Sequence, residues 1–216
     1  QRSTEVKAML SHTWTGYKRI AYGMDEPRPT SGTGNNRWGA IGMTILDSLS
    51  TLKLMGFQAE FDEGVQWIKE NLNFHASHGE LSVFETTIRA LAGLLSAFEL
   101  NGMRDPILLE KAKDLGDGLI GAFSTKTGVA SPRTTLFRGG GGGGGTTIAE
   151  AGTLQLEFTK LAELTGDRKY QEKSLKFYEF LYQKFVGDSS HSRDGMYPMG
   201  LNVVSGTMNG AVSWGA

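Results

Sequence analysis

No cysteine occurs among the 216 residues. Disulfides, thiol nucleophiles and Cys-based metal sites are thereby excluded, although the compartment is not fixed. An excess of either charge is missing too: 22 Lys and Arg stand against 23 Asp and Glu, a formal net charge of −1. No global field draws nucleic acid or anionic lipid, and no basic cluster suggests either partner. No apolar run reaches the ~18 residues of a membrane span. The N-terminus shows no signal-peptide pattern and is expected to be a mature or trimmed start. There is no Asn-X-Ser/Thr sequon and no G-x-S-x-G elbow, and His12, His75, His78 and His191 form no HExxH pattern. What remains is a globular composition, 39% hydrophobic and 21% charged, long enough for one large domain or two small ones.

The stretch 81–100, LSVFETTIRALAGLLSAFEL, organises the rest. It has no proline and only Glu85, Arg89 and Glu99 as charges. Val83, Phe84, Ile88, Leu91, Leu94, Leu95 and Phe98 spread over most of a helical circumference, which predicts burial. One stripe stays polar or small: Ser82, Glu85, Arg89, Ala92, Gly93 and Ser96, spaced three and four apart and so on one face. A carboxylate and a guanidinium on such a helix are expected to line a cavity or be paired.

Six more helices are predicted along the chain. Charged, two-sided ones cover about 4–22, 60–72, 106–123 (N-cap Asp105, then Pro106) and 167–185. Mostly apolar ones, each with a single polar stripe, cover about 39–55, 81–100 and 147–164. Residues 23–39 predict a loop, and the Gly-rich tail suggests strand pieces near Met196–Tyr197 and Asn202–Val204. Seven consecutive glycines, Gly139–Gly145, specify no conformation and predict a flexible loop, a linker or a placeholder. Alternation of apolar and charged helices predicts an all-α fold of helical hairpins in two layers. Closed on itself, that becomes an α/α barrel with the stripes toward its axis, bringing Asp47, Glu85 and Glu150 to a common cavity. An open solenoid alternates similarly but would show a repeat, and none is present.

Each candidate has a plainer explanation. Glu85 and Arg89 fit a simple i,i+4 ion pair, worth ~0.3–0.5 kcal/mol on a surface. Burial would favour a protonated Glu85, as an acid catalyst needs, while Arg89 would oppose it. Asp47 fits a buried helix acid. Glu150 fits a helix start, where negative charge is favoured, and Glu157 fits a structural role. Carboxylates converging in a helical barrel suggest sugar chemistry, because glycosidic cleavage uses one acid and one base.

Six blocks carry a resemblance over nearly the whole chain: HTWTGYKRIAYGMDEPRP, TILDSLSTLKLMGF, LSVFETTIRALAGLLSAFEL, TTIAEAGTLQLEF with LTGDRKY, GMYPMGLN and VSWGA. They resemble the class I α-1,2-mannosidases, glycoside hydrolase family 47, in the family's order. The resemblance implies an (α/α)7 barrel of alternating inner and outer helices, of which residues 1–216 supply about half, as the N-terminal portion of a single catalytic domain. It implies calcium-dependent removal of α-1,2-linked mannose from high-mannose N-glycans with inversion, in the ER or Golgi lumen or after secretion. By position, Glu85 matches the general acid, Arg89 a substrate-contacting arginine, Glu150 an acidic pocket residue and Asp47 an acidic position in the second helical block. Ser50 stands where the family usually has a further Asp. No calcium ligand is assigned within this chain. The base, a later Glu and the calcium ligands are expected in the remaining half of the barrel, as a second chain or a further segment. Two rival expectations are a weakly catalytic relative that binds mannose-rich glycans in glycoprotein quality control, and a helical interaction scaffold.

Overall fold

The computed structural model describes residues 2–138, 144–186 and 196–212. Most of the poly-glycine run and of the VSWGA block, together with His191, lies outside the described residues. Helix α1 spans Arg2–Ala21, α2 Met43–Met55, α3 Gln58–Asn71, α4 Val83–Glu85, α5 Ala92–Leu100, α6 Pro106–Leu119, α7 Ile148–Thr153, α8 Gln155–Thr165, α9 Lys169–Ser174 and α10 Lys176–Val186. A π-helical segment, Thr86–Leu91, joins α4 to α5. The seven expected helical blocks are therefore present, with four of them subdivided. At the α7–α8 break, Tyr178 donates its hydroxyl to the Gly152 carbonyl at 2.6 Å, which intrudes on the helical ladder there.

Helices α2, α5 and α8 stand side by side; α3 and α6 form a second layer, continued through the 3₁₀ turn Ile120–Phe123 to α9. One core cluster runs through both layers, from Trp14 and Tyr17 through Leu46, Leu49, Leu91 and Leu94 to Phe158 and Tyr170. Strand pairs add to this all-α fold, those ahead of the tail in places the sequence did not suggest. Strands β1 (Glu26–Arg28) and β2 (Thr33–Asn35) form a hairpin inside the expected loop. β3 (Leu81–Ser82) pairs antiparallel with β4 (Arg133–Thr134), immediately ahead of α4. β5 (Gly145–Thr147), β6 (Gly200–Asn202) and β7 (Met208–Asn209) form the sheet of the tail over a second cluster holding Ala151, Phe177 and Leu201. Strand structure is thus present in the tail near both expected positions, with β6 meeting one at Asn202 and a bridge at Met196.

Helix α2 begins at Met43 rather than near Gly39. Gly39, Ala40 and Gly42 have φ of 88°, 60° and 68°, so the chain winds left-handed before the helix can start. Those turns aim backbone N–H groups at one buried carboxylate. Asp25 accepts from Trp38 and Ala40 through Oδ2 (2.8 and 2.9 Å) and from Ile41 and Met43 through Oδ1 (2.8 and 3.2 Å).

Gly93 does not belong to a lumen-facing stripe, as the sequence suggested. It is buried against α2, and a Cβ there would lie 2.1 Å from the Leu46 carbonyl oxygen. That neighbour is backbone and cannot rotate aside. Gly93→Ala should gain ~1 kcal/mol of helix propensity yet lose ~3 kcal/mol to overpacking. The expected net effect is a melting temperature lower by about 4–8 °C. Gly16→Ala is the control: nothing lies within 4 Å of a Cβ there, so thermal melting should show a small rise.

Candidate active site

Strand pairing sets where Glu85 stands. Leu81 opposes Thr134, Ser82 opposes Arg133, and the Val83 N–H donates to the Pro132 carbonyl at 3.0 Å. Ser82 then caps the helix, its Oγ accepting from the Glu85 N–H at 3.2 Å. Glu85 lies in the first turn, where the helix dipole favours negative charge. Directly after it the helix widens into the π segment, the kind of irregularity often found at functional sites. The Thr86-Thr87-Ile88 run is the available sequence signal, since consecutive β-branched residues strain a tight helix. Thr87 donates its hydroxyl to the Val83 carbonyl at 2.7 Å, whereas the buried Thr86 hydroxyl has no partner among the described residues.

Arg89 projects from the π segment and joins two acids. Its Nε donates to Glu85 Oε2 at 2.7 Å, and its Nη1 to Asp47 Oδ2, on α2, at 3.2 Å. The hydrogen bond to Glu85, opposed by burial and helped by Asp47, holds the guanidinium above its already high pKa. The side chains of Glu85, Arg89 and Asp47 are 31%, 40% and 44% exposed, so water or a ligand can reach all three. The two expected partners on neighbouring helices are thus brought together, with one cation between two carboxylates.

Glu150 takes another position. Thr147 Oγ accepts from the Glu150 N–H at 3.1 Å, while Glu150 Oε2 accepts from the Thr147 N–H at 3.1 Å, a complete capping box. The Thr146 and Thr147 hydroxyls also reach Oε2, at 3.1 and 3.3 Å. This carboxylate starts α7, the plainer of its two explanations, and is not bonded to Arg89. It is still a neighbour of the site: α7 packs beside α4, and Glu150 shares a narrow crevice with Val83 and Phe84.

Glu157, on α8, for which the sequence suggested a structural role, is a half-buried acid. Its Oε2 is buried without a partner among the described residues, and burial pushes its pKa up. It borders a groove of about 200 Å³ with Ala92, Leu95, Ser96, Leu156 and Lys160. Lys160 instead pairs with Glu163 at 2.9 Å and Glu99 at 3.4 Å. An acid with a raised folded pKa contributes stability below its unfolded pKa and loses it as pH rises through the folded value. Glu157→Gln should therefore stabilise the chain by ~1 kcal/mol at pH 7. Melting curves should show that gain vanish below about pH 4, where both forms are neutral.

Among the described residues no three His, Asp or Glu side chains converge as a metal cage. His75 instead pairs with Asp114 at 3.2 Å and stacks on Phe137.

With this geometry in place, comparison with known proteins is informative. The model of glycosyl hydrolase family 47 matches residues 9–216. A mannosyl-oligosaccharide 1,2-alpha-mannosidase of Arabidopsis thaliana is 38% identical over 208 residues, covering 94% of this chain and 36% of that protein. The endoplasmic reticulum mannosyl-oligosaccharide 1,2-alpha-mannosidase of Rattus norvegicus is 36% identical over 210 residues, covering 95% and 31%. The solved alpha-1,2-mannosidase from Trichoderma reesei superposes with a TM-score of 0.86 at 29% identity, over 96% of this chain and 45% of that one. The chain spans about a third of the length of these curated relatives.

Proposed function

Since this chain belongs to glycosyl hydrolase family 47, we propose that it is the part of an inverting α-1,2-mannosidase that carries the acid catalyst, Glu85. The supporting observation is the pairing of Glu85 with Arg89 in a half-open position at the head of a π-distorted helix. In this reading Glu85 gives its proton to the glycosidic oxygen as the C–O bond breaks, directly or through one water. Arg89 offers its remaining N–H groups to mannose hydroxyls, with Asp47 and Glu150 flanking the sugar. The base that activates the attacking water comes from outside this sequence. In an inverting enzyme that carboxylate stands about 6.5–9.5 Å from the acid, leaving room for water.

The ring is completed by the remaining half of the barrel, as continuing polypeptide or a second chain. The substrate is the high-mannose N-glycan, met in the lumen of the secretory pathway or outside the cell. Calcium, the expected cofactor, is a hard ion that needs six to eight oxygen ligands and would act on sugar hydroxyls. In this reading its ligands come from the other half of the barrel, and no step here passes through it.

The test is to incubate the complete protein with mannose-α-1,2-mannose and follow the first released anomer by NMR. β-Mannose is expected. α-Mannose would overturn inversion, and binding without turnover would favour a glycan-binding role.

A further inference from the structure

A guanidinium is planar and carries five N–H donors in a rigid fork. One bond to Arg89 would leave that plane free to swing; two bonds to different helices pin it. Here the pins are Glu85, one turn earlier on the same helix, and Asp47 across on α2. The distance between those helices is set by the Gly93 contact. Gly93 meets Leu46, the residue before Asp47, and an added Cβ would also lie 3.5 Å from the Asp47 nitrogen. The close approach therefore sits beside Asp47 and one turn beyond Arg89. Asp47 is held where its Oδ2 can take one guanidinium N–H, while only Oε2 of Glu85 is engaged by Arg89.

We propose that Asp47 is a positioning residue that acts through Arg89 rather than on the sugar directly. By drawing Nη1–H toward α2, it keeps Arg89 from folding both edges of its fork onto Glu85. One carboxyl oxygen of Glu85 thereby stays open toward the leaving oxygen, and the free Arg89 donors stay aimed at sugar hydroxyls. The idea rests on the reading of Glu85 as the acid.

Two measurements test it. In the complete protein, Asp47→Ala should lower kcat/KM on mannose-α-1,2-mannose about tenfold, but less than about twofold once Arg89 is already alanine, because the pair acts as a unit. Asp47→Asn, whose Oδ1 can still accept Nη1–H, should recover about half of the loss on a logarithmic scale. In the complete protein, the 15N NMR signal of Arg89 Nε–H should also move in Asp47→Ala. Equal losses in both backgrounds would overturn the proposal, as would an Arg89 signal indifferent to Asp47. If no protein turns over the disaccharide, wild type included, and the Arg89 signal still moves, the proposed function falls and takes the catalytic positioning role with it, while the Asp47–Arg89 contact alone stands.

Discussion

Asp25→Ala is expected to leave the chain unable to hold its native core. The Asp25 side chain is fully buried, and among the described residues it pairs with no Lys or Arg. Among those residues its two carboxyl oxygens accept from the four N–H groups of Trp38, Ala40, Ile41 and Met43. Those donors lie on a left-handed turn that offers them no helical partner. Alanine would leave all four without an acceptor, at ~1–3 kcal/mol each, or at least ~4 kcal/mol together. A domain of this kind is stable by about 5–15 kcal/mol in all, so the loss is of the same order as the whole. Asp25→Asn keeps one oxygen and its two bonds but sets an NH₂ against two of the donors, so roughly half the loss is expected. Near-UV circular dichroism and thermal melting report both variants. Asp25→Ala melting within about 2 °C of wild type, less than ~1 kcal/mol, would show that this nest is not what anchors α2.

The same nest shows where sequence reasoning stops. Periodicity placed all seven helical blocks because each apolar stripe repeats locally. It started α2 several residues early because nothing in GAIG announces that Asp25, 13 to 18 residues upstream, collects the N–H groups. The β3–β4 pair was equally hidden, since its register joins Leu81 to Thr134 and only two residues long strands carry no alternation. Glycine was ambiguous: a small residue on a helix can line a cavity or admit a neighbour, and Gly93 does the second. Glu85 with Arg89 was legible from i,i+4 spacing. Asp47 was legible only through the inference of layered inner helices, because it reaches Arg89 across 42 residues of sequence. Glu150 was legible twice over, and the T-x-x-E signature of a capping box was the signal to weigh.

Glu85→Gln is the change expected to act most strongly on activity, and it separates an acid catalyst from an ion-pair partner. Glutamine keeps the length of the side chain and an oxygen for Arg89 Nε. The helix cap is untouched, because Ser82 bonds the backbone N–H at this position and not the side chain. Stability should therefore change by less than about 0.5 kcal/mol. What glutamine lacks is a proton that can pass to the departing oxygen. On mannose-α-1,2-mannose the complete protein should lose ~10²–10⁴ in kcat, the usual contribution of general acid catalysis. On α-mannosyl fluoride, whose leaving group departs without protonation, most of the rate should remain. The contrast between the two substrates carries the assignment. Equal losses on both would mean that Glu85 only holds Arg89 and the sugar in place, since a positioning defect does not depend on the leaving group.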